Sequence, residues 1–320
     1  MPDVSVVIVN WNTLKYICDC LNSLLRAGKG YTREIIVVDN ASCDGSADVV
    51  ARQFPGVSVI RNAENVGFAR ANNIGIRRAA GRYICIVNPD VVVRDGCIEN
   101  LMRFMDQNPG VGIAGPRILN SDGSVQISCR HFPTIWNNLC QSLGLNRLFP
   151  KSAFFSDWLM SYWPHDGIRS VDVLSGCFWI VRREAINQVG LLDEDFFIYG
   201  EDIDWCRRFH KAGWDVMFYP ESAVIHFGGG SSSKAPIKFY IEMQKADLHY
   251  WEKHHGAVGR ASYAGVIFFR HLLRLIFMAL QYLVYPSRRK TASFKLKRSF
   301  TCIKWILHLK CDLEHDTFAA

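Results

Sequence analysis

The chain has 320 residues, enough for one large α/β domain with an appendage or for two small domains. A hydrophobic content of 49% with mean hydropathy near zero excludes a disordered chain. The formal charge of +7 is concentrated after residue 250, so it belongs to a tail, and no nucleic-acid partner is expected.

The first hundred residues alternate strand and helix patterns. Val4 to Val9 is a β-branched run ending in Asn10, and Ile35 to Val38 is another ending in Asp39. Between them Thr13 is placed to cap a helix with Leu14, Ile17, Leu21, Leu24 and Leu25 at helical spacing, and Gly28 to end it. Turn residues after Asp39 open a second helix, Ala47 to Phe54, followed by a short strand from Val57 to Ile60. Gly67 then opens a helix with an inward stripe of Phe68, Ala71, Ile74 and Gly75, leaving Arg70, Asn72 and Asn73 polar. Arg70 lies one turn into that helix, near the end where a phosphate is favoured and a guanidinium can bind it bidentately. Tyr83 to Val87 runs straight into Asn88-Pro89-Asp90, as expected of a central strand. Strand and helix at these intervals predict a right-handed parallel sheet, with ligands beyond the carboxyl ends of its strands. Asn10, Asp39 and Asp90 share that edge, although Asn and Asp also end strands simply as turn formers.

Residues 112 to 119 read as another strand, and Asn120-Ser-Asp-Gly as a tight turn. From about 130 to 170 the chain is irregular and aromatic, as suits either a lid and acceptor wall or a hydrophobic insert. An apolar run from Val171 to Val181 is broken at Ser175-Gly176, and Arg182 to Val189 is a helix ending at Gly190. Glu201, Asp202 and Asp204 crowd the first turn of a short helix that ends at Gly213. Acids there complement the helix dipole, but three in four positions exceed what the dipole requires. Strands Val216 to Tyr219 and Ala223 to His226 lead into Gly228-Gly-Gly-Ser-Ser-Ser. His226 reads either as a structural imidazole or, with Asp90 as co-ligand, as a neutral ligand to a hard cation.

The tail holds an amphipathic helix over 237 to 255, then a rich apolar stretch from Tyr263 to Tyr285 interrupted by Arg270, His271 and Arg274. The uninterrupted part, Leu275 to Tyr285, is too short to span a bilayer. Basic residues from Arg288 to Lys310 follow, so this extension is expected to lie on an anionic inner leaflet, or to close the domain or a homodimer. Eleven cysteines without Cys-x-x-Cys or zinc-like spacing predict reduced core thiols. The chain enters a strand within three residues of Met1, so no signal peptide is expected and the cytoplasm is the expected compartment.

Six motifs in order across residues 4 to 232 resemble family 2 glycosyltransferases of the GT-A fold, in their rhamnosyltransferase-like branch. They are Val-Ser-Val-Val-Ile-Val-Asn-Trp-Asn, Val-Val-Asp-Asn-Ala-Ser, Asn-x-Gly-Phe-Ala-x-Ala-Asn-Asn-x-Gly, Asn-Pro-Asp, Phe-Phe-Ile-Tyr-Gly-Glu-Asp-x-Asp and His-x-Gly-Gly-x-Ser. The resemblance implies a mostly parallel, Rossmann-like sheet over residues 1 to 235 with a C-terminal helical extension over 236 to 320. It implies a nucleotide-sugar pocket of Asn10, Asp39, Arg70, Asn88 and Asp90, with Mg²⁺ or Mn²⁺ on Asp90 and His226. Asp202 corresponds to the catalytic base, with Glu201 the fallback. The implied reaction is inverting transfer of a deoxyhexose, dTDP-L-rhamnose being the favoured donor, to a saccharide or polyprenyl-linked acceptor. Asn88 departs from the family's Asp and removes one charge from the metal site, which keeps a catalytically idle nucleotide-sugar-binding protein as the alternative. A dehydrogenase is disfavoured because no Gly-x-Gly-x-x-Gly follows the first strand.

Overall fold

A computed structural model describes residues 1–27, 30–228 and 236–307. The helix stop expected at Gly28, the Gly/Ser loop over 229–233 and the basic residue Lys310 lie outside the described residues. The described chain forms two compact units, one of residues 1–132 with 159–228, the other of 133–158 with 236–307.

The first unit is built on a mixed sheet. Its N-terminal half is parallel, β1 (Val4–Asn10), β2 (Arg33–Asp39), β3 (Ser58–Arg61) and β4 (Tyr83–Val87) lying in the order β3-β2-β1-β4. Every residue of β1 and β4 is buried, as expected of strands covered on both faces. The connections are α1 (Leu14–Arg26), α2 (Ser46–Gln53) and α3 (Phe68–Arg78). In α1 the inward face is Ile17, Leu21 and Leu24, while Leu14 and Leu25 face outward. Thr13 occupies the N-cap position without a side-chain cap; its hydroxyl instead donates to Asn10 Oδ1 at 2.5 Å.

In α3 the expected polar face is partly internal. Asn72 and Asn73 are buried, and Asn73 clamps the backbone of Leu192 by donating to its carbonyl (2.8 Å) and accepting from its N–H (3.1 Å). Gly75 sits where a β-carbon would lie 2.4 Å from Val7 Cγ1, so its lack of a side chain sets how closely α3 approaches β1.

The second half departs from parallel pairing. After β5 (Val91–Val93), α4 (Cys97–Gln107), β6 (Val111–Leu119) and β7 (Cys129–Arg130), the excursion with α5 (Ile135–Leu143) and α6 (Leu145–Leu148) belongs to the other unit. The chain returns as β8 (Arg169–Ser170), β9 (Val173–Leu174), β10 (Phe178–Arg182), α7 (Arg183–Val189), α8 (Glu201–Lys211) and β11 (Asp215–His226). The break at Ser175-Gly176 divides the apolar run between two sheets, since β9 pairs with β7 whereas β10 runs antiparallel between β4 and β6. The two strands expected between Val216 and His226 are one, parallel to β6, with a register shift between Tyr219 and Ala223. Pro220, which cannot donate to a ladder, falls inside that bulge. The end of β11 pairs antiparallel with β5, setting His226 opposite Val91.

The second unit is helical. α9 (Pro236–Val284) is interrupted at Gly256, whose φ of 66° is non-helical. Tyr240 meets His271 and Arg274, and Trp251 stacks on Tyr263, so the two halves fold back antiparallel. A 3₁₀ turn at Pro286–Arg288 leads to α10 (Arg289–Ile306), which sets Cys302 and Trp305 against Ile237 and Ile241. The arginines expected to interrupt the apolar stretch turn inward, Arg270 to Ser142 Oγ and Arg274 to the Tyr240 hydroxyl. The outer face of the second half is therefore continuously apolar, with Phe269, Leu272, Ile276, Leu280 and Leu283 all exposed. By length and composition alone, α9 contains a stretch able to cross a membrane.

Gly75→Ala is expected to lower stability by about 1–3 kcal/mol, because Val7 lies in a filled central strand and has nowhere to move. Urea unfolding would measure it, and a midpoint unchanged from the parent would refute the close-packing argument.

Candidate active site

The strand tips are tied together before any ligand is considered. Asn10 and Asp39 are register partners, and Asn10 Nδ2 donates to Asp39 Oδ1 (2.7 Å), Ser46 Oγ (2.7 Å) and Ser42 Oγ (3.0 Å). Asp39 Oδ2 also accepts from the Ser42 N–H at 3.1 Å. This network shapes the turn into α2, so both residues do the turn-forming work their identities allow. Arg70 is exposed in the first turn of α3, its Nε 3.6 Å from Glu194, a carboxylate also bound by Arg77 and Asn73.

Asp90 and His226 are brought side by side. The Phe227 N–H donates to the Asp90 carbonyl at 3.0 Å, and His226 Nε2 stands 3.3 Å from Asp90 Oδ1. On the other side of the ring Nδ1 is 2.7 Å from Gln126 Oε1, and the Gln126 amide is oriented because its Nε2 donates to Asn120 Oδ1 at 2.9 Å. Nδ1 is thereby the nitrogen that donates to Gln126, and Nε2 faces a carboxylate. Either a proton on Nε2 or a bound cation satisfies a contact of that length. The donor set, one carboxylate oxygen and one imidazole nitrogen held by an outer amide, fits a divalent metal. Nearby in sequence, the buried Asn88 Oδ1 has no hydrogen-bond partner within the protein.

The acidic helix start divides into unlike groups. Asp204 is fully buried and accepts from Arg208 Nε at 2.8 Å one turn on, which makes it structural. Glu201 is also buried, its Oε2 without a hydrogen-bond partner. Burial first, and then the neighbouring Asp202 charge, push its carboxyl well above the usual range, so it keeps its proton at neutral pH. Asp202 is also buried, with Oδ1 accepting from the Ile203 N–H at 2.9 Å and Oδ2 3.7 Å from Arg130 Nη1.

A short segment links these groups. The Cys177 carbonyl accepts from the Asn88 N–H at 2.9 Å, and a β-carbon on Gly176 would lie 3.6 Å from Asp202 Cβ. Ser175-Gly176-Cys177 thus stands between the Asp90 strand end and the start of α8. Asp90, His226 and Asp202 are gathered around it, while Asp39 is two strands from β4, roughly 10 Å at ordinary strand spacing. Sequence reading missed Arg130 and Gln126. Both fall in stretches without period, and only the pairing of β7 with β9 carries Arg130 to Asp202.

Comparison with known proteins adds to this geometry. The sequence profile described as "Glycosyl transferase family 2" matches residues 5–164. An N-acetylglucosaminyl-diphospho-decaprenol L-rhamnosyltransferase of Mycobacterium tuberculosis is 29% identical over 241 residues, covering 71% of this chain and 77% of that protein. The dTDP-rhamnosyl transferase RfbF of Shigella flexneri is 28% identical over 265 residues, covering 79% and 81%. Among solved structures, the mannosyltransferase PcManGT of Pyrobaculum calidifontis, in complex with GDP-Man and Mn²⁺, superposes with a TM-score of 0.53 at 16% identity, covering 95% of this chain and 87% of that one. That likeness shows the fold, which is the GT-A fold the sequence motifs imply.

Folded Glu201 holds its proton to higher pH than the unfolded chain does, so stability declines as pH rises from the ordinary carboxylate range through neutrality. Glu201→Gln is expected to remove that decline. Its melting temperature relative to the parent should rise between about pH 5 and about pH 8; parallel melting curves across that range would contradict a protonated Glu201.

Proposed function

The chain belongs to glycosyl transferase family 2, and from that premise we propose that it is an inverting rhamnosyltransferase. In this reading it moves L-rhamnose from dTDP-L-rhamnose to a saccharide carried on a polyprenyl diphosphate, during synthesis of a bacterial surface polysaccharide. The names of the two bacterial relatives support the donor and the acceptor class. The observation that carries the chemistry is the separation of one carboxylate, Asp202, from the Asp90–His226 pair across the Ser175–Cys177 segment.

An acceptor hydroxyl must lose its proton as it attacks the anomeric carbon, and Asp202 is the group suited to take it. Glu201 is enclosed and already protonated, so it supports Asp202 and does not compete with it. Attack from the Asp202 side displaces the nucleotide diphosphate from the opposite face, and one carboxylate then gives inversion; retention by a covalent route needs a second, nucleophilic carboxylate. Mg²⁺ or Mn²⁺ on Asp90 and His226 would neutralise charge developing on the departing diphosphate. Asn88 supplies an amide oxygen where a second charge is absent, and Asn10 with Asp39 shapes the pocket for the base. Arg70 reaches the diphosphate only by exchanging it for Glu194. The idle-protein alternative draws no support from the relatives, whose names are those of transferases.

We place the enzyme on the cytoplasmic face of the membrane, where a lipid-linked acceptor would be found. The exposed apolar face of α9 and the exposed basic residues Arg288, Arg289 and Lys290 match a bilayer with anionic headgroups.

Asp202→Asn is expected to cut rhamnosyl transfer by about 10²–10⁴-fold while leaving dTDP affinity near that of the parent. Turnover retained at the parental rate would remove Asp202 from the mechanism. Leu280→Asp is expected to release the protein from phosphatidylglycerol vesicles in co-sedimentation. If the parent ignores such vesicles and light scattering instead reports a dimer lost in that variant, the apolar face is a homodimer contact.

A further inference from the structure

The helical unit encloses a positive cluster that sugar transfer does not use. Arg270 donates to Ser142 Oγ (2.9 Å) and Asn138 Oδ1 (3.3 Å), Arg274 donates to the Tyr240 hydroxyl (2.9 Å), and Arg298 lies 4.4 Å over the Tyr240 ring. All of these partners are neutral. The carboxylate nearest to them in the fold, Asp247, acts with Arg270 on the Tyr263 hydroxyl, which donates to Asp247 Oδ2 at 2.6 Å. His271 lies among them, fully buried, with neither ring nitrogen hydrogen-bonded. Burial first, and then Arg274, Arg270 and Arg298, push its pKa down to about 3, so the imidazole is neutral and adds no charge. Gln244, one turn along from Tyr240 on the same helix face, is fully buried with both amide atoms unsatisfied.

Buried polar groups are nearly always satisfied, and unpaired buried charge is costly. Three guanidiniums whose hydrogen-bond and ring partners are neutral, beside an imidazole and an amide without partners, call for a ligand with several anionic oxygens. A single carboxylate supplies too little charge, whereas a diphosphate offers charge and acceptors for more than one guanidinium fork. Arg274 and Arg298 are only partly buried, so the cluster opens to the surface on their side. The opposite side of the same helix carries the exposed apolar row from Phe269 to Leu283.

We infer that Arg270, Arg274 and Arg298, with His271 and Gln244, bind the diphosphate of an isoprenoid-linked acceptor. This rests on the reading that the acceptor is lipid-linked, and it assigns the recognition of the lipid head to the helical unit.

The test is binding of geranylgeranyl diphosphate to the full chain in detergent, compared with geranylgeraniol and with inorganic diphosphate. The parent should bind the lipid diphosphate at least about tenfold more tightly than either. Arg274→Gln with Arg298→Gln should abolish that preference, the double Lys replacement should retain part of it, and dTDP affinity and melting temperature should stay at parental values in both. Equal affinity for the alcohol, or an unchanged preference in the Gln variant, overturns the site. Inorganic diphosphate binding as tightly as the lipid form overturns the lipid assignment in favour of a soluble anion. Rhamnosyl transfer is measured separately. Absent transfer with intact lipid diphosphate binding would count against the reaction, and intact transfer without that binding would count against this cluster.

Discussion

A strand buried on both faces can offer polar chemistry only at its ends. β1 and β4 are apolar and enclosed along almost their whole length, and the register of β2, β1 and β4 brings Asp39, Asn10 and the Asn88–Asp90 turn to one edge. That edge is where the antiparallel β10 begins and β11 ends. The Cys177 carbonyl and the His226 imidazole therefore meet the turn after β4, and every other feature of the site follows from this shared edge.

Burial then gives similar residues different work. Of three acids in the first turn of α8, Asp204 is taken by Arg208, Glu201 is enclosed and protonated, and Asp202 stands beside Arg130. The same separation occurs among the cations. Arg70 and Arg77 share Glu194 on the surface, Arg130 reaches Asp202, and the three arginines of the helical unit have neutral partners.

Much of the first unit was legible in the chain. The runs ending in Asn10, Asp39 and Asp90 are β-branched without helical period, and they are strands at those places. The Ser175-Gly176 break was also legible, and it is where the chain passes from β9 to β10. Other elements were less so. Ile98, Leu101, Met102 and Met105 line one face of α4, yet that helix follows a strand of only three residues and blurs into its pattern. The two expected strands before His226 merge, since a bulge can carry Pro220 without ending a ladder.

Sequence alone determined the alternation of strand and helix, the residues at the strand tips, the acidic helix start and the resemblance to sugar transferases. These are local properties, set by spacing and by residue type. Only the tertiary structure decided that Glu201 is protonated beside Asp202, that Gln126 orients His226, that Arg130 reaches the site and that Arg270 and Arg274 turn inward. Each depends on what lies across a gap of many residues. Charge state and side-chain direction are fixed by the surrounding dielectric and by partners, and neither is written in the neighbouring sequence.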